Sequence, residues 1–179
     1  MRPASDEFKC LADSMAMNSA QKVSVVLPVR NGERHLFSAV KSIVAQTFEA
    51  WELIVIDDGS TDGTRDILSE LARGDHRIRV LTMASGGLVS ALNAGIVASR
   101  GELVARMDAD DVALPHRLEQ QVAEFSRRPS LVALGGQIVC IDTGYPPGGW
   151  AGVRRERHCA TIRVRHGSAR LRSESPHRA

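Results

Sequence analysis

Short apolar runs alternate with apolar stripes at helical spacing over the first 140 residues of the chain. The runs are rich in β-branched residues, which is typical of strands that are buried on both faces of a sheet. They lie at Val23–Leu27, Leu53–Ile56, Ile78–Leu81, Leu103–Ala105 and Leu131–Leu134. The pattern therefore predicts five strands.

Between these runs, apolar residues recur every three or four positions, which predicts amphipathic helices. Asn31 is the predicted N-cap of the first helix, and Pro115 is placed at the first turn of the last one. The apolar faces are Leu36, Phe37, Val40, Ile43 and Val44; Ile67, Leu68 and Leu71; Leu88, Ala91, Leu92, Gly95 and Ile96; and Leu118, Val122 and Phe125. Strands that recur about every 25 to 30 residues with helices between them indicate right-handed βαβ units. We predict an α/β fold, with a mostly parallel central sheet and helices on both of its faces.

The two ends of the chain lack this alternation. Residues 1–21 are predicted to be a flexible leader, and residues 22–145 to be the folded domain. The breakers Pro146-Pro147-Gly148-Gly149 open residues 146–179, which show neither a helical nor a strand period. Two interpretations of this basic tail stay open: a disordered segment, or the product of a shifted reading frame. A sheet that ends after five strands would leave Ile138–Ile141 at an uncovered edge, which predicts self-association.

Composition narrows the class of protein. With 179 residues, the chain suffices for one domain. Residues 1–152 carry 15 Lys+Arg against 19 Asp+Glu, a net −4, so a nucleic-acid partner is not expected, whereas residues 153–179 carry eight Arg against two Glu, a net +6. The sequence has no transmembrane segment or signal-peptide pattern, and its three cysteines lack zinc spacing. We expect a cytoplasmic protein, with a peripheral position at the inner face of the membrane as the alternative.

Carboxylates follow two of the predicted strands. They belong to Asp57, Asp58, Asp62, Asp108, Asp110 and Asp111. Because the carboxyl ends of parallel strands meet at the edge where ligands bind, we expect these side chains to gather there. Such a cluster repels itself unless a cation compensates, and oxygen-rich sites suit Mg²⁺ or Mn²⁺. Turn formation and helix capping alone would explain part of Asp57–Gly63 without a ligand.

Other common nucleotide and catalytic motifs are missing. The sequence contains no G-x-G-x-x-G after the first strand, no Gly-Lys-Ser/Thr and no G-x-S-x-G. These absences argue against Rossmann dinucleotide binding, a P-loop and a nucleophile elbow. A calcium loop that starts at Asp58 would have Ser69 at its twelfth position, so we exclude an EF-hand.

Four segments combine the strand ends with these polar residues. They are VSVVLPVRNGE at Val23–Glu33, QTF at Gln46–Phe48 followed by WELIVIDDGSTDG at Trp51–Gly63, ALNAG at Ala91–Gly95, and GELVARMDADD at Gly101–Asp111. In this order and spacing, they resemble the N-terminal half of a family 2 glycosyltransferase. The resemblance implies the GT-A fold, a nucleotide-sugar donor, a divalent metal (Mg²⁺ or Mn²⁺) and inverting transfer of a sugar to an acceptor hydroxyl.

The resemblance also implies roles for individual residues in donor binding. The loop after the first strand would line the base and ribose with Pro28, Arg30, Asn31 and Glu33. Asp58 would accept a hydrogen bond from the base, typically uracil, which makes a UDP-sugar the expected donor.

Further roles concern the metal. Asp108 and Asp110 match the family's D-x-D element, with Asp110 as the direct metal ligand and Asp108 facing the ribose or sugar. The supporting positions would be Asn93, Arg106 and Asp111. The metal would bridge the two phosphates and stabilise the charge on the leaving diphosphate.

The sequence departs from the family pattern at two points. Arg30 stands where many members carry tyrosine, so a guanidinium plane would stack on the base. Downstream of the last predicted helix, the acidic residues Asp142, Glu156 and Glu174 lack the context of the family's general base, and the catalytic base is unassigned. The expected acceptor is a saccharide or a lipid-linked molecule. Two alternatives stay open: a truncated nucleotide- or metal-binding remnant without transfer activity, and a nucleotidyltransferase, which the missing glycine-rich phosphate loop disfavours.

Overall fold

The computed structural model describes residues 23–139 and 155–163. The strands are β1 (Val23–Val29), β2 (Trp51–Asp58), β3 (Ile78–Met83), β4 (Leu103–Arg106), β5 (Ala133–Val139) and β6 (Arg155–Arg163). The helices are α1 (Leu36–Val44), α2 (Thr64–Gly74), α3 (Leu88–Ala98) and α4 (Arg117–Arg127). Strands and helices alternate up to β5, as the hydrophobic pattern predicts.

The strands form one sheet in the order β3-β2-β1-β4-β6-β5. β1 lies between β2 and β4 and is parallel to both, and β3 is parallel to β2. β6 is antiparallel to its neighbours β4 and β5. The predicted α/β fold with a mostly parallel sheet is confirmed.

The core has two parts, one on each face of the sheet. α1, α2 and α4 contribute to a cluster with the alternate β1 residues Val23, Val25, Leu27 and Val29. α3 packs on the other face against a cluster that includes Val26, Ile54 and Ile56. Because successive strand residues point to opposite faces, the uninterrupted apolar runs of β1 and β2 contribute side chains to both clusters. Helices thus lie on both faces, as predicted.

One strand contradicts the sequence interpretation of the tail. β6 falls inside residues 146–179, which were predicted to be aperiodic, and it lies between β4 and β5. The prediction that the sheet ends after five strands is therefore wrong. Contacts with α4 explain why this arginine-rich segment forms a strand: Thr161 Oγ1 donates to Gln121 Oε1 at 2.8 Å, and Arg163 Nη2 donates to the Phe125 carbonyl at 3.0 Å.

β6 also covers one side of the predicted uncovered edge. Ile138 and Val139 of β5 pair with Glu156 and Arg155 of β6. β5 is the outer strand at this end of the sheet, so self-association along it stays a prediction. The remainder of that predicted edge, Cys140 and Ile141, lies outside the described residues, as do the predicted leader and the rest of the tail.

A buried polar network fixes the amino ends of β1 and β2. Glu52 is fully buried, accepts a hydrogen bond from Ser24 Oγ at 2.7 Å and pairs with Arg79 at 2.9 Å. The Arg100 backbone N–H donates to Glu52 Oε1 at 2.8 Å, and the Gly101 N–H donates to Ser24 Oγ at 2.9 Å. The segment that leads into β4 is thereby fastened to the sheet, at the end opposite to the candidate site.

The four helices are short. They have 9 or 11 residues, whereas a membrane-spanning helix needs about 20. In the described part of the chain, no helix is long and apolar enough to cross a membrane. The location of the protein stays a prediction.

Candidate functional site

The predicted site residues come together at the carboxyl edge of the sheet. The loop after β1 and the turn after β2 lie side by side, because Val29 is paired with Asp57 at the ends of these strands. β4 ends beside β1, where the Met107 N–H donates to the Val26 carbonyl at 3.0 Å. The segment after β4 reaches the first loop, since Ala109 Cβ lies 3.8 Å from the position that a Cβ on Gly32 would occupy.

Asn31 joins the first loop to the second. Its backbone is left-handed, with φ 54°, a conformation that asparagine tolerates better than most residues. Its N–H donates to Ser60 Oγ at 2.9 Å, and its side-chain Oδ1 accepts a hydrogen bond from the Thr61 N–H at 2.9 Å. The prediction that Asn31 caps the first helix is wrong: α1 starts at Leu36 after His35, and its N-terminus has no side-chain cap.

Gly32 and Glu33 make further bonds between the same two loops. The Gly32 N–H donates to Thr64 Oγ1 at 2.9 Å, and the Glu33 N–H donates to Asp62 Oδ2 at 3.2 Å. In return, Glu33 Oε2 accepts a hydrogen bond from the Gly63 N–H at 3.0 Å. The side chains of Asn31 and Glu33, predicted to line a base and ribose, are thus engaged in holding the two loops together.

The side chains of Asp57 and Asp58 lie on opposite faces of the sheet, because successive residues of a strand point to alternate faces. Asp57 is buried, accepts the Ser60 N–H at 2.9 Å and pairs with Arg65 Nε at 3.0 Å. Burial raises the pKa of Asp57, but the hydrogen bonds from Ser60 and the bond and charge of Arg65 outweigh it, so the pKa lies below its ordinary value. Asp57 is therefore a structural anion within the turn.

Asp58 binds the loop that leads into α3. Its Oδ1 accepts the Gly86 N–H at 2.6 Å, and its Oδ2 accepts the Gly87 N–H at 2.9 Å. Gly87 has φ 81°, a left-handed conformation that favours glycine. Only 5% of Asp58 is exposed. Asp58 thereby sets the position of the α3 N-terminus at the sheet edge.

The first aspartate after β4 is held by an arginine. Arg106 Nη2 donates to both carboxylate oxygens of Asp108, at 2.9 and 3.0 Å, and Arg106 Nε donates to Asp108 Oδ1 at 3.2 Å. Each of these side chains is 44% exposed. Arg117 Nη2 donates to the Arg106 carbonyl at 2.8 Å, which ties the start of α4 to the end of β4.

Asp110 and Asp111 complete the acidic segment and are exposed. Desolvation, followed by the negative charges of Asp108 and Asp110, raises the pKa of Asp111, and Arg117 and Arg106 oppose this shift. No hydrogen bond or ion pair with another described residue engages the carboxylate of Asp110. Asp110 thus offers both of its carboxylate oxygens to a ligand.

The carboxylates at this edge can bind a divalent cation only together with other oxygen ligands. In the described ranges, no group of three His, Cys, Asp or Glu side chains is arranged to hold a metal ion by itself. Mg²⁺, however, is usually held by one or two carboxylates together with substrate phosphates, and its ligands are oxygens. Asp110, with Asp108 beside it, fits such a shared site.

The remaining predicted residues are placed differently. Pro28 is buried within β1, opposite Ile56, so it forms part of the sheet rather than its surface. Arg30 is exposed directly after β1. Asn93 is half-buried in α3, and this helix packs on the same face of the sheet as the side chain of Asp58.

Sequence analysis missed the residues that position this edge. Ser60 and Thr64 accept hydrogen bonds from the first loop, and Arg117 holds the backbone at Arg106. The Gly86-Gly87 pair was not assigned to the site, although a glycine pair directly before a helix indicates exposed backbone amides. The other contacts join loops that are distant in sequence, and no local pattern reveals them.

Comparison with protein families and curated proteins gives consistent results. The model of Glycosyl transferase family 2 matches residues 24–166. An uncharacterized glycosyltransferase of Nostoc sp. is 41% identical over 122 residues, which cover 68% of this chain and 38% of the relative. The putative glycosyltransferase EpsE of Bacillus subtilis is 37% identical over 128 residues, which cover 70% and 46%. The putative teichuronic acid biosynthesis glycosyltransferase TuaG of Bacillus subtilis is 34% identical over 125 residues, which cover 69% and 50%. The chain spans half or less of the length of these relatives.

Solved structures share the fold. Residues 1–349 of TarS from S. aureus, in complex with UDP-GlcNAc, superpose with a TM-score of 0.57 and 25% identity, covering 73% of this chain and 37% of that one. The mannosyltransferase PcManGT from Pyrobaculum calidifontis, in complex with GDP-Man and Mn²⁺, has a TM-score of 0.59 and 24% identity, covering 63% and 34%. The predicted GT-A architecture is confirmed.

Proposed function

Because the chain belongs to glycosyl transferase family 2, we propose that it binds a UDP-sugar and a divalent cation at the carboxyl edge of the sheet. The sugar is transferred to an acceptor hydroxyl with inversion. One observation carries this proposal: the exposed carboxylate of Asp110 lies on the segment that contacts the joined loops after β1 and β2. The TarS complex with UDP-GlcNAc supports uracil as the base.

Arg30 and Asp58 are assigned to the base. Arg30 is exposed at the end of β1, and its planar guanidinium is suited to stacking on an aromatic ring. The two oxygens of Asp58 each accept one backbone N–H, but a carboxylate has about four lone-pair sites, so an N–H of uracil has an acceptor there. Asn31 and Glu33 act on the ribose region chiefly by fixing the loop that Arg30 begins.

Asp110 and Asp108 are assigned to the cation, Mg²⁺ or Mn²⁺. A bound cation supplies stabilisation of the negative charge on the departing diphosphate. Asp110 offers an oxygen without first breaking a protein contact, whereas Asp108 is engaged by Arg106. Asp111 adds negative charge beside these two carboxylates. Arg117 holds the backbone of the segment in place through the Arg106 carbonyl. Asn93 lies half-buried in α3.

The acceptor is a saccharide or a lipid-linked molecule, and the catalytic base is not assigned. Family 2 transfer needs a carboxylate that takes the proton of the acceptor hydroxyl. The structure does not describe the surroundings of any acidic side chain beyond α4. A protein that binds nucleotide and cation without transfer is therefore the second candidate.

Turnover of the donor separates the two candidates. UDP-GlcNAc and UDP-glucose are incubated with the protein and Mn²⁺, and released UDP is measured with water alone and with a panel of saccharide acceptors. Transferase activity predicts UDP release that Asp110→Ala abolishes and Asp66→Ala, an exposed site on α2, leaves intact. UDP binding without release in any mixture would favour the binding protein, and no binding would contradict both candidates.

A further inference from the structure

We propose that Arg106 is an exchangeable counter-cation: it neutralises Asp108 in the metal-free protein and moves to the donor's diphosphate when Asp108 turns towards the cation. The proposal rests on the proposed function, since it concerns the same site. Its consequence is that cation and nucleotide bind cooperatively.

The geometry of the pair is the first step. Two nitrogens of one guanidinium, Nε and Nη2, make three contacts with the two oxygens of Asp108, all within 3.2 Å. A two-pronged pair of this kind is the strong form of an ion pair. A carboxylate has about four lone-pair sites, and Arg106 uses most of those of Asp108, so a cation gains full access to Asp108 only when the guanidinium withdraws.

The exposure of the Arg106 side chain is the second observation. Arg117 Nη2 holds the Arg106 carbonyl, which fixes the backbone at the end of β4. Arg106 is 44% exposed, so rotation does not require the core to open. The planar guanidinium, whose paired N–H groups bind a carboxylate, binds a phosphate in the same two-pronged way.

The charge balance is the third step. Asp108, Asp110 and Asp111 place three carboxylates within four residues, and three negative charges so close together repel one another. Arg106 offsets this repulsion before the cation binds. Once the cation takes over that task, the guanidinium is available to the negatively charged diphosphate. Each ligand therefore improves the site for the other, which is a positive coupling between the two.

The test measures Mn²⁺ binding without nucleotide and UDP binding with saturating Mn²⁺. Free Mn²⁺ is counted by electron paramagnetic resonance, and UDP binding is followed by calorimetry. Arg106→Gln removes the competing cation, so affinity for Mn²⁺ alone rises about fivefold. The same variant loses the partner of the diphosphate, so affinity for UDP falls about fivefold or more. Arg106→Lys keeps the positive charge but lacks the paired N–H groups of the guanidinium. Its affinities for Mn²⁺ and for UDP should lie between those of the wild type and of Arg106→Gln.

The control is Arg100→Gln, an exposed arginine before β4, at the opposite end of that strand. It changes net charge equally and leaves both affinities unchanged. An unchanged or weaker affinity of Arg106→Gln for Mn²⁺ alone, in protein with the wild-type circular dichroism spectrum, would overturn the proposal. If Arg106→Gln does not fold, Arg106→Lys decides by the same criterion. Wild-type protein that binds Mn²⁺ but no UDP would contradict the proposed function, and the Mn²⁺ comparison would still decide the role of Arg106.

Discussion

The carboxylate of Asp58 accepts the backbone N–H of Gly86 at 2.6 Å, across 28 residues of sequence. This bond, and its partner from Gly87, join the end of β2 to the start of α3. The carboxyl edge of the sheet is therefore a set of loops that the protein's own hydrogen bonds fix to one another.

Asp58→Asn tests this fixation. The amide retains one acceptor oxygen, so one of the two glycine N–H groups meets an NH₂ donor and loses its partner. We expect the free energy of unfolding to fall by about 1–3 kcal/mol, measured by urea denaturation. Glu70→Gln, at an exposed position of α2, is the control and stays within about 0.5 kcal/mol of the wild type. Equal stability of the two variants would show that the Asp58 bonds do not matter in solution.

Asp57 predicts a pH dependence of stability. Its pKa in the folded protein lies below the ordinary value of 3.8, so its contribution is present above that value. The contribution is lost as the pH falls through the lower, folded pKa, because the folded state then loses its preference for the ionised form. Urea unfolding from pH 7 to pH 3 should show a steeper loss for the wild type than for Asp57→Asn. Parallel curves would contradict the bonds of Asp57 to Ser60 and Arg65.

Gly95 in α3 and Gly74 at the end of α2 allow a matched comparison of two glycine-to-alanine substitutions. A Cβ on Gly95 would lie 2.4 Å from Val26 Cγ1, whereas a Cβ on Gly74 meets nothing within 4 Å. Alanine favours helix, but overpacking a core costs about 1–3 kcal/mol. We expect Gly95→Ala to lower the midpoint of thermal unfolding and Gly74→Ala to leave it equal or higher. A Gly95→Ala protein as stable as the wild type would mean that α3 does not pack closely on β1.

Glu52→Ala tests the buried network at the opposite edge. The change leaves Arg79 without its buried partner and removes one of the two acceptors of the Arg100 N–H, the other being Ser24 Oγ. We expect a loss of about 3 kcal/mol of unfolding free energy. UDP binding by the protein that remains folded should be unchanged, since Glu52 lies at the far end of β2. Loss of binding at a temperature where the variant is folded would contradict this separation of stability from function.

The hydrophobic pattern was sufficient for the first five strands and the four helices. In that part of the chain, each element carries its own period, and the order of elements follows from the handedness of βαβ units. The strand β6 was missed because charged residues interrupt its apolar positions. Its formation depends on tertiary contacts, such as Thr161 with Gln121, that its own sequence does not encode.

The candidate site was predictable in place and only partly in detail. The strand ends indicated the edge of the sheet at which the predicted residues meet, and the aspartates led to the proposal of cation chemistry. The roles of Asn31 and Glu33 as bridges depend on two loops that meet only in the folded protein. Pro28 shows the opposite error, because proline at a strand end suggested a loop, whereas the strand continues through it to Val29.

The proposed donor site depends on a cation held by Asp110. Calorimetric titration of UDP into the protein with Mn²⁺, and again with chelator, tests it most directly. We predict binding with Mn²⁺ that is weakened at least about tenfold by chelator and by Asp110→Ala, as expected when a ligand to the cation is removed. Asp66→Ala should bind as the wild type does. UDP binding that is indifferent to Mn²⁺ and to Asp110, in folded protein, would contradict the account.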